Sequence, residues 1–410
     1  LADLDGDGHL DLVGGQGWHV TAWFEGQAPG IRVLWGPPAA EVLNPLAWTD
    51  AGRIPATVDT GHYLWVTPAD VDGDGALDIL FGGRVHNGNG ARGSLKWVRA
   101  PRDPAARRDL AQWPMYDIDP EQLSGHGFQL ADVDEDGDFD LVDANADFDT
   151  PEEEETVHWY ENPGPGTAAQ RAPWPKHEIY RGPEFYFKPQ IAIADLDGDG
   201  REDVLTAVEE AIYWFRKTGV RPVTWERIVI RKAPVAQTLQ RPLHVVDLDG
   251  DGRLDLVGMA THTGGIVPLD RAAAFWMAYR GARPAADNWT THVIKWGSGR
   301  PMLLDAFGEK WDRVQFDDVD GDGDLDIVAN CEEWWEDQFE LLPYWDPRLS
   351  PTSVATVWLE NRLAEAPYRH AERDGVLLIE AEDFTDQRDG SWYKQSRYPG
   401  FAGHGYAQDH

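Results

Sequence analysis

Hydrophobic and polar residues alternate along this chain in short stretches, and no 3.6-residue apolar period persists anywhere. FQLADVD (128–134) and FDLVDA (139–144) are typical: brief, β-branched and periodic at two, as half-buried strands are. The arrangement recurs six times. A strand rich in Leu, Ile and Val (LDLVGG, LDILFGG, FDLVDA, EDVLTA, LDLVGMA, LDIVAN) leads through a connection of variable length to a strand centred on tryptophan. Those tryptophans are Trp23, Trp97, Trp159, Trp214, Trp276 and Trp358. In several copies a further strand follows, as in WPKHEIY, WERIVIR and WTTHVIK. Four strands in roughly 60 residues, repeated along the chain, predict the blades of an all-β propeller, with the tryptophans packing between blades.

The acidic residues sharpen this picture. Each Leu/Ile/Val strand is entered through one eleven-residue window: DLDGDGHLDLV from Asp3, DVDGDGALDIL from Asp70, DVDEDGDFDLV from Asp132, DLDGDGREDVL from Asp195, DLDGDGRLDLV from Asp247 and DVDGDGDLDIV from Asp318. The starts lie 67, 62, 63, 52 and 71 residues apart. The chain carries 72 Asp and Glu against 36 Lys and Arg, and 28 of the acids fall inside these windows. So much of the net charge of −36 is concentrated where several carboxylates meet, which only a cation makes stable.

Comparing the six copies separates side-chain from backbone roles. Positions 1, 3, 5 and 9 are Asp throughout: Asp3, Asp5, Asp7 and Asp11; Asp70, Asp72, Asp74 and Asp78; Asp132, Asp134, Asp136 and Asp140; Asp195, Asp197, Asp199 and Asp203; Asp247, Asp249, Asp251 and Asp255; Asp318, Asp320, Asp322 and Asp326. Position 6 is always Gly, as a sharp turn around an ion requires. Position 7 varies (His9, Ala76, Asp138, Arg201, Arg253, Asp324), so it is expected to offer its carbonyl oxygen. Oxygen donors in a flexible loop, without nitrogen or sulfur, predict about six structural Ca²⁺ sites rather than Mg²⁺. An EF-hand is excluded, because position 12 is Gly14, Phe81, Asp143, Thr206, Gly258 and Ala329, never Glu, and the flanks are strands.

The D-x-D-x-D-G-x-x-D loop between propeller strands, followed by W-[YFL]-E-N as in VHWYENPG and TVWLENR, resembles the FG-GAP/VCBS repeat family of integrin α-subunits and secreted bacterial proteins. The resemblance spans roughly residues 1–375 and implies an extracellular or periplasmic, calcium-stabilised propeller of seven blades when intact. The chain opens inside a motif at Leu1-Ala2-Asp3, so part of a blade and a signal peptide are expected to precede it. Residues 376–410 differ in pattern: Ile379–Phe384 (IEAEDF) resembles the first strand of jelly-roll carbohydrate-binding modules, of which only a beginning is present.

Composition narrows the function. The acid excess argues against a nucleic-acid partner, and no apolar run is long enough to insert in a membrane. The single cysteine, Cys331, excludes a disulfide framework. Against this acidic background, cationic or titratable residues stand a few positions upstream of the loops: His62, His126, Lys188, Arg241, and Lys310 with Arg313. If each loop caps one end of an innermost strand, these side chains ring the opposite mouth, where they suit carboxylate or sulfate groups. One long connection, NCEEWWEDQFELLPYWDPRLSPTS, places Trp334, Trp335, Phe339, Tyr344 and Trp345 beside Glu332 and Glu333, a composition suited to sugar rings.

These features predict recognition of a carbohydrate polymer, an acidic polysaccharide in particular. An enzyme is the alternative. A polysaccharide lyase would use Arg241, Arg313 and Lys188 to neutralise a uronate, His126 or His62 as base, and Tyr63 or Tyr186 as acid. A protein-binding adhesion module is the second alternative, with calcium stiffening a scaffold that needs no catalytic geometry.

Overall fold

A computed structural model describes residues 1–15, 30–58, 60–84, 95–120, 127–145, 156–182, 190–208, 211–232, 240–260, 272–296, 308–334 and 354–361, with the backbone of four short strands beyond them. It is all-β, and its strands fall into six successive antiparallel sheets of propeller-blade type. The first sheet holds β1 (Leu12–Gly15), β2 (Ile31–Trp35) and β3 (Thr49–Arg53); the second β4 (His62–Ala69), β5 (Asp78–Arg84), β6 (Leu95–Val98) and β7 (Met115–Asp119). The third holds β8 (Gln129–Ala131), β9 (Asp140–Asn145), β10 (Thr156–Tyr160) and β11 (Lys176–Arg181). The fourth is β12 (Ile191–Ala194), β13 (Asp203–Ala207), β14 (Ala211–Val220) and β15 (Val223–Arg231). The fifth is β16 (Gln240–Val246), β17 (Asp255–Ala260), β18 (Ala272–Tyr279) and β19 (Trp289–Trp296), and the sixth β20 (Gly308–Asp317), β21 (Asp326–Trp334) and β22 (Val354–Leu359).

The strands run in chain order across every sheet, as consecutive hairpins dictate. In the second to sixth sheets the acidic window joins the first strand to the second; in the first sheet it closes on an Ala2–Asp11 bridge and runs into β1. Trp97 stands opposite Leu80, Trp159 opposite Val142, Trp276 opposite Val257 and Trp358 opposite Val328. The first sheet departs from the sequence reading. Its second strand is Ile31–Trp35, and Val33 takes the tryptophan position opposite Val13. Trp23, assigned there from its residue type, lies outside the described residues, and a β-branched residue fills the same place in the pleat.

The chain divides into two compact units. One comprises Leu1–Asp195, Gly200–Thr206 and Trp214–Arg227; the other Leu196–Asp199, Ala207–Tyr213 and Ile228–His410. Within the first, successive blades share their cores. Leu4, Ile31, Val33 and Trp35 of the first sheet and its loop pack with Tyr63, Ile79, Phe81 and Trp113 of the second blade. Leu80, Leu95 and Trp97 of the second blade pack in turn with Phe128, Leu141, Tyr160 and Trp174 of the third. The other unit repeats this: Val257, Met259 and Trp276 of the fifth blade meet Trp311, Val314, Ile327 and Leu359 of the sixth. The second blade therefore packs against a neighbour on each face, and the expected inter-blade packing is what Trp97 and Trp276 do. First strands of successive blades also lie side by side, β8 against β12 in the first unit and β16 against β20 in the second.

Beyond residue 361 the described backbone consists of two small hairpins, Glu372–Arg373 with Val376–Leu377 and Trp392–Gln395 with Tyr406–Asp409. Ile379–Phe384, which carries the carbohydrate-module resemblance, lies outside the described residues. No helix is long and apolar enough to cross a membrane among the described residues.

Candidate metal centre

Each acidic window folds by turning its own N–H groups onto its carboxylates. In the first loop Gly6 and Asp7 donate to Asp3 Oδ1 at 2.8 and 3.1 Å, and Gly8 donates to Asp3 Oδ2 at 3.0 Å. The same bonds recur from Asp74 and Gly75 to Asp70, from Asp136 and Gly137 to Asp132, from Gly200 to Asp195, from Asp251 and Gly252 to Asp247, and from Gly321 and Gly323 to Asp318. The position-5 carboxylate then takes the N–H of position 7, as from His9 to Asp7 and Ala76 to Asp74. Wrapping this tightly needs left-handed backbone at position 6, where φ lies between 84° and 103° in all six loops. Position 4 is left-handed too. Glycine holds it in five loops, and Glu135, at φ 58°, holds it in the third.

Position 9 has a separate task. Asp11, Asp78, Asp140, Asp203, Asp255 and Asp326 are all buried, and described N–H groups point at their oxygens. Oδ2 accepts from the residue at position 2 in five loops: Leu4 at 2.8 Å, Val71 at 3.0 Å, Val133 at 2.9 Å, Leu248 at 3.1 Å and Val319 at 3.2 Å. At Asp203 the indole of Trp214 donates to Oδ2. Oδ1 accepts from the strand paired to the loop's own strand, or from just beyond it: Gly36, Ala100, Asn162, Lys217 and Asn361. This aspartate therefore ties its loop to the tryptophan strand, a role its spacing alone did not reveal.

The same structural position carries a second tie. Asn162 Nδ2 donates to Val71 O and Phe139 O at 3.0 and 3.2 Å, so it reaches from the third blade to position 2 of the second blade's loop. Lys217 Nζ reaches Val133 O at 2.8 Å, and Asn361 Nδ2 reaches Leu248 O at 2.8 Å, by the same rule. The final Asn of W-x-E-N is thus a latch onto the loop of the preceding blade.

What remains are carboxylate oxygens aimed at one another. Within 4.8 Å lie one oxygen each from Asp3, Asp5 and Asp11; from Asp70, Asp72 and Asp78; from Asp132, Asp134 and Asp136; and from Asp247, Asp249 and Asp251. Asp195, Asp197 and Asp199 form the corresponding group in the fourth loop. Asp72 Oδ1, Asp134 Oδ1, Asp138 Oδ1 and Asp324 Oδ1 are buried and accept no hydrogen bond. Orphaned anionic oxygens in an all-oxygen donor set fit a hard cation. Asp138 and Asp324 add to the sequence reading, since position 7 supplies a carboxylate there as well as a carbonyl. Its variability had hidden this.

The electrostatics bear out the crowding. Burial raises the carboxyls of Asp78 and Asp255 to about 7 and that of Asp140 to about 8, against the pull of the two N–H groups each accepts. Burial followed by repulsion from neighbouring aspartates brings Asp138 and Asp324 to about 6. A bound divalent ion reverses both effects at once.

The candidate mouth residues are placed only in part. His62 opens β4, Arg241 is the second residue of β16, and Lys310 and Arg313 lie on β20; Asp70, Asp247 and Asp318 follow the other ends of those strands. Backbone register sets His62 opposite Arg84, Lys310 opposite Glu332, Glu333 opposite Glu309 and Trp334 opposite Gly308. His126, Lys188, Tyr186, Trp335, Phe339, Tyr344 and Trp345 lie outside the described residues. Tyr63 is a correction. It is buried against Phe81, with its hydroxyl 2.7 Å from Thr60 Oγ1, so it is a core residue and not a general acid facing a substrate.

Blades of this topology with an aspartate loop between first and second strands define a β-propeller built from acidic-loop repeats. The repeats are FG-GAP-like: the family model described as an FG-GAP-like repeat matches residues 132–206 and 195–258. No curated protein matches the sequence. Among solved structures, the chain is similar to an Agrocybe aegerita lectin described for recognition of non-reducing terminal N-acetylglucosamine. That match has 16% identity over 87% of this chain and 81% of the lectin, at a TM-score of 0.41. An α-L-arabinofuranosidase from Lactobacillus brevis matches at 14% identity over 71% of this chain and 88% of the enzyme, TM-score 0.37. The V. cholerae biofilm matrix protein Bap1 matches at 13% identity over 62% of this chain and 40% of its own, TM-score 0.17.

Proposed function

We propose that this chain is an extracellular or periplasmic propeller, stiffened by calcium in its acidic loops, that recognises an acidic polysaccharide. The calcium assignment is supported by the buried, unbonded oxygens of Asp72, Asp134, Asp138 and Asp324 within loops that offer oxygen ligands alone. The carbohydrate assignment rests on one placement. In a chain of net charge −36, β4, β16 and β20 each begin with or carry a cationic or titratable residue at the end away from its aspartate loop. In the second unit β16 and β20 are neighbours, so Arg241, Lys310 and Arg313 belong to adjacent strands. Guanidinium and ammonium groups at such an edge favour the carboxylates or sulfates of a glycan.

The test is binding of the calcium-loaded chain to a panel of uronate-containing, sulfated and neutral polysaccharides. Binding confined to acidic polymers, and lost in Arg241→Ala and Arg313→Ala with the melting temperature kept, is the expected result. Equal binding to neutral polymers, or none to any, refutes the reading. Monitoring the ultraviolet absorbance of unsaturated uronate ends in the same samples detects a lyase. His126→Ala then reports whether that histidine is its base.

A further inference from the structure

In the first two loops one arginine bridges two carboxylates of the loop. Arg99 Nε lies 2.6 Å from Asp72 Oδ2, and its Nη2 donates to Asp74 Oδ2 at 3.0 Å. Arg108 does the same to the first loop, with Nε 2.5 Å from Asp5 Oδ2 and Nη2 2.7 Å from Asp7 Oδ2. Arg99 comes from the end of its own blade's third strand. Arg108 comes from the second blade's helical insert at 104–112 and lies over Trp35, 5.8 Å from the ring centroid. From two origins, one fork reaches the same target. It joins the position-3 and position-5 carboxylates, two groups that a metal ion in the loop would also join.

Among the described residues the third, fifth and sixth loops show no such fork. In the fifth, Arg253 pairs with Asp251 alone and lies over Tyr279. Among the described residues no cation pairs with Asp132, Asp134 or Asp136, nor with Asp318, Asp320 or Asp322, and these two loops add a carboxylate at position 7. Under the forks Asp5 is 2% exposed, Asp72 4%, Asp74 8% and Asp7 34%, whereas the arginines above them are 55% and 39% exposed. An ion that takes these Oδ2 atoms displaces the guanidinium from them.

We propose that Arg108 and Arg99 are built-in counter-cations of the first and second loops, so that these loops bind calcium more weakly than the third and sixth and keep their fold without it. This rests on the calcium reading above. Affinity in oxygen-lined loops follows the ligand charge available, and an arginine that must leave subtracts from it.

The experiment is calorimetric titration of the chelator-stripped full chain with calcium chloride, for the wild type, Arg99→Gln/Arg108→Gln, and Arg102→Gln as a surface control. The wild type and control are expected to show tight and weak classes. The double variant is expected to tighten the weak class by about tenfold or more without adding sites. In chelator the double variant should melt below the wild type, and excess calcium should close that gap. Arg99→Lys/Arg108→Lys keeps the charge but loses the fork, and should give a smaller tightening if the glutamine variant does not fold. Superimposable isotherms for wild type and variants, or weaker binding in the variants, overturn the role of the arginines while leaving calcium binding intact. No calcium uptake by any of the proteins overturns both.

Discussion

Asparagine at position 140 separates the two tasks of the acidic loop. Asp140 accepts Val133 N–H on one oxygen at 2.9 Å and Asn162 N–H on the other at 2.8 Å, and is 1% exposed. Asp140→Asn keeps one acceptor and turns an NH₂ toward the second N–H. That leaves a buried donor unpaired, at a cost of about 1–3 kcal/mol. Asp136 is exposed and takes one N–H, from Asp138, which an amide oxygen can still accept. Asp136→Asn should therefore change stability by no more than about 0.5 kcal/mol in chelator, while reducing the stabilisation that calcium confers. Titration adds a second signature. Asp140 is raised from 3.8 to about 8 by burial, so between those values the folded chain holds a proton the unfolded chain releases. Its contribution is fully present below 3.8 and is lost as the pH rises through 8. Chelator-treated wild type should lose stability from about pH 5 to about pH 8, by up to ~1.4 kcal/mol per pH unit for each such carboxyl. Asp140→Asn should flatten that slope. Urea unfolding of both variants across this range, with chelator and with calcium, makes the measurement. Equal losses for the two variants in chelator, or a wild type that gains stability with pH there, would refute the division of labour.

Removing calcium from the wild type at neutral pH should lower the melting temperature strongly, since each emptied loop leaves crowded carboxylates; a melt indifferent to chelator contradicts the metal reading. Asn162→Ala leaves the buried carbonyl of Val71 and the part-buried one of Phe139 without this donor, and should cost about 1–3 kcal/mol by urea unfolding, with calcium affinity nearly unchanged. Gly137 sits at φ 103° with open space around it, so Gly137→Ala should destabilise by about 1–2 kcal/mol through backbone strain alone.

Blade pattern and loop register were legible in the sequence because both follow local periodicity. Alternation named the strands, and six copies of one window fixed where each blade begins its second strand. What stayed hidden depends on three-dimensional closure. That Asp140 also ties the loop to the third strand shows only when Asn162 N–H is seen to return from 22 positions further along the chain. Arg108 cannot be linked to Asp5 by any spacing rule, since 103 residues separate them. Val33 replaced the expected Trp23 because a pleat position asks for bulk and branching, which more than one residue type supplies. Tyr63, read as a candidate acid, ends in the core against Phe81.

The asparagine latch has a practical corollary for protein engineering. Because Asn162 grips the peptide of Val71, and Val71 is itself held by Asp78, the second repeat is fastened by the third, as Lys217 and Asn361 fasten the third and fifth. Excising or transplanting one repeat would strip its predecessor of a fastener. Chimeras should therefore exchange repeats as adjoining pairs, with the seam placed after the latch and not at the acidic motif that the eye picks out first.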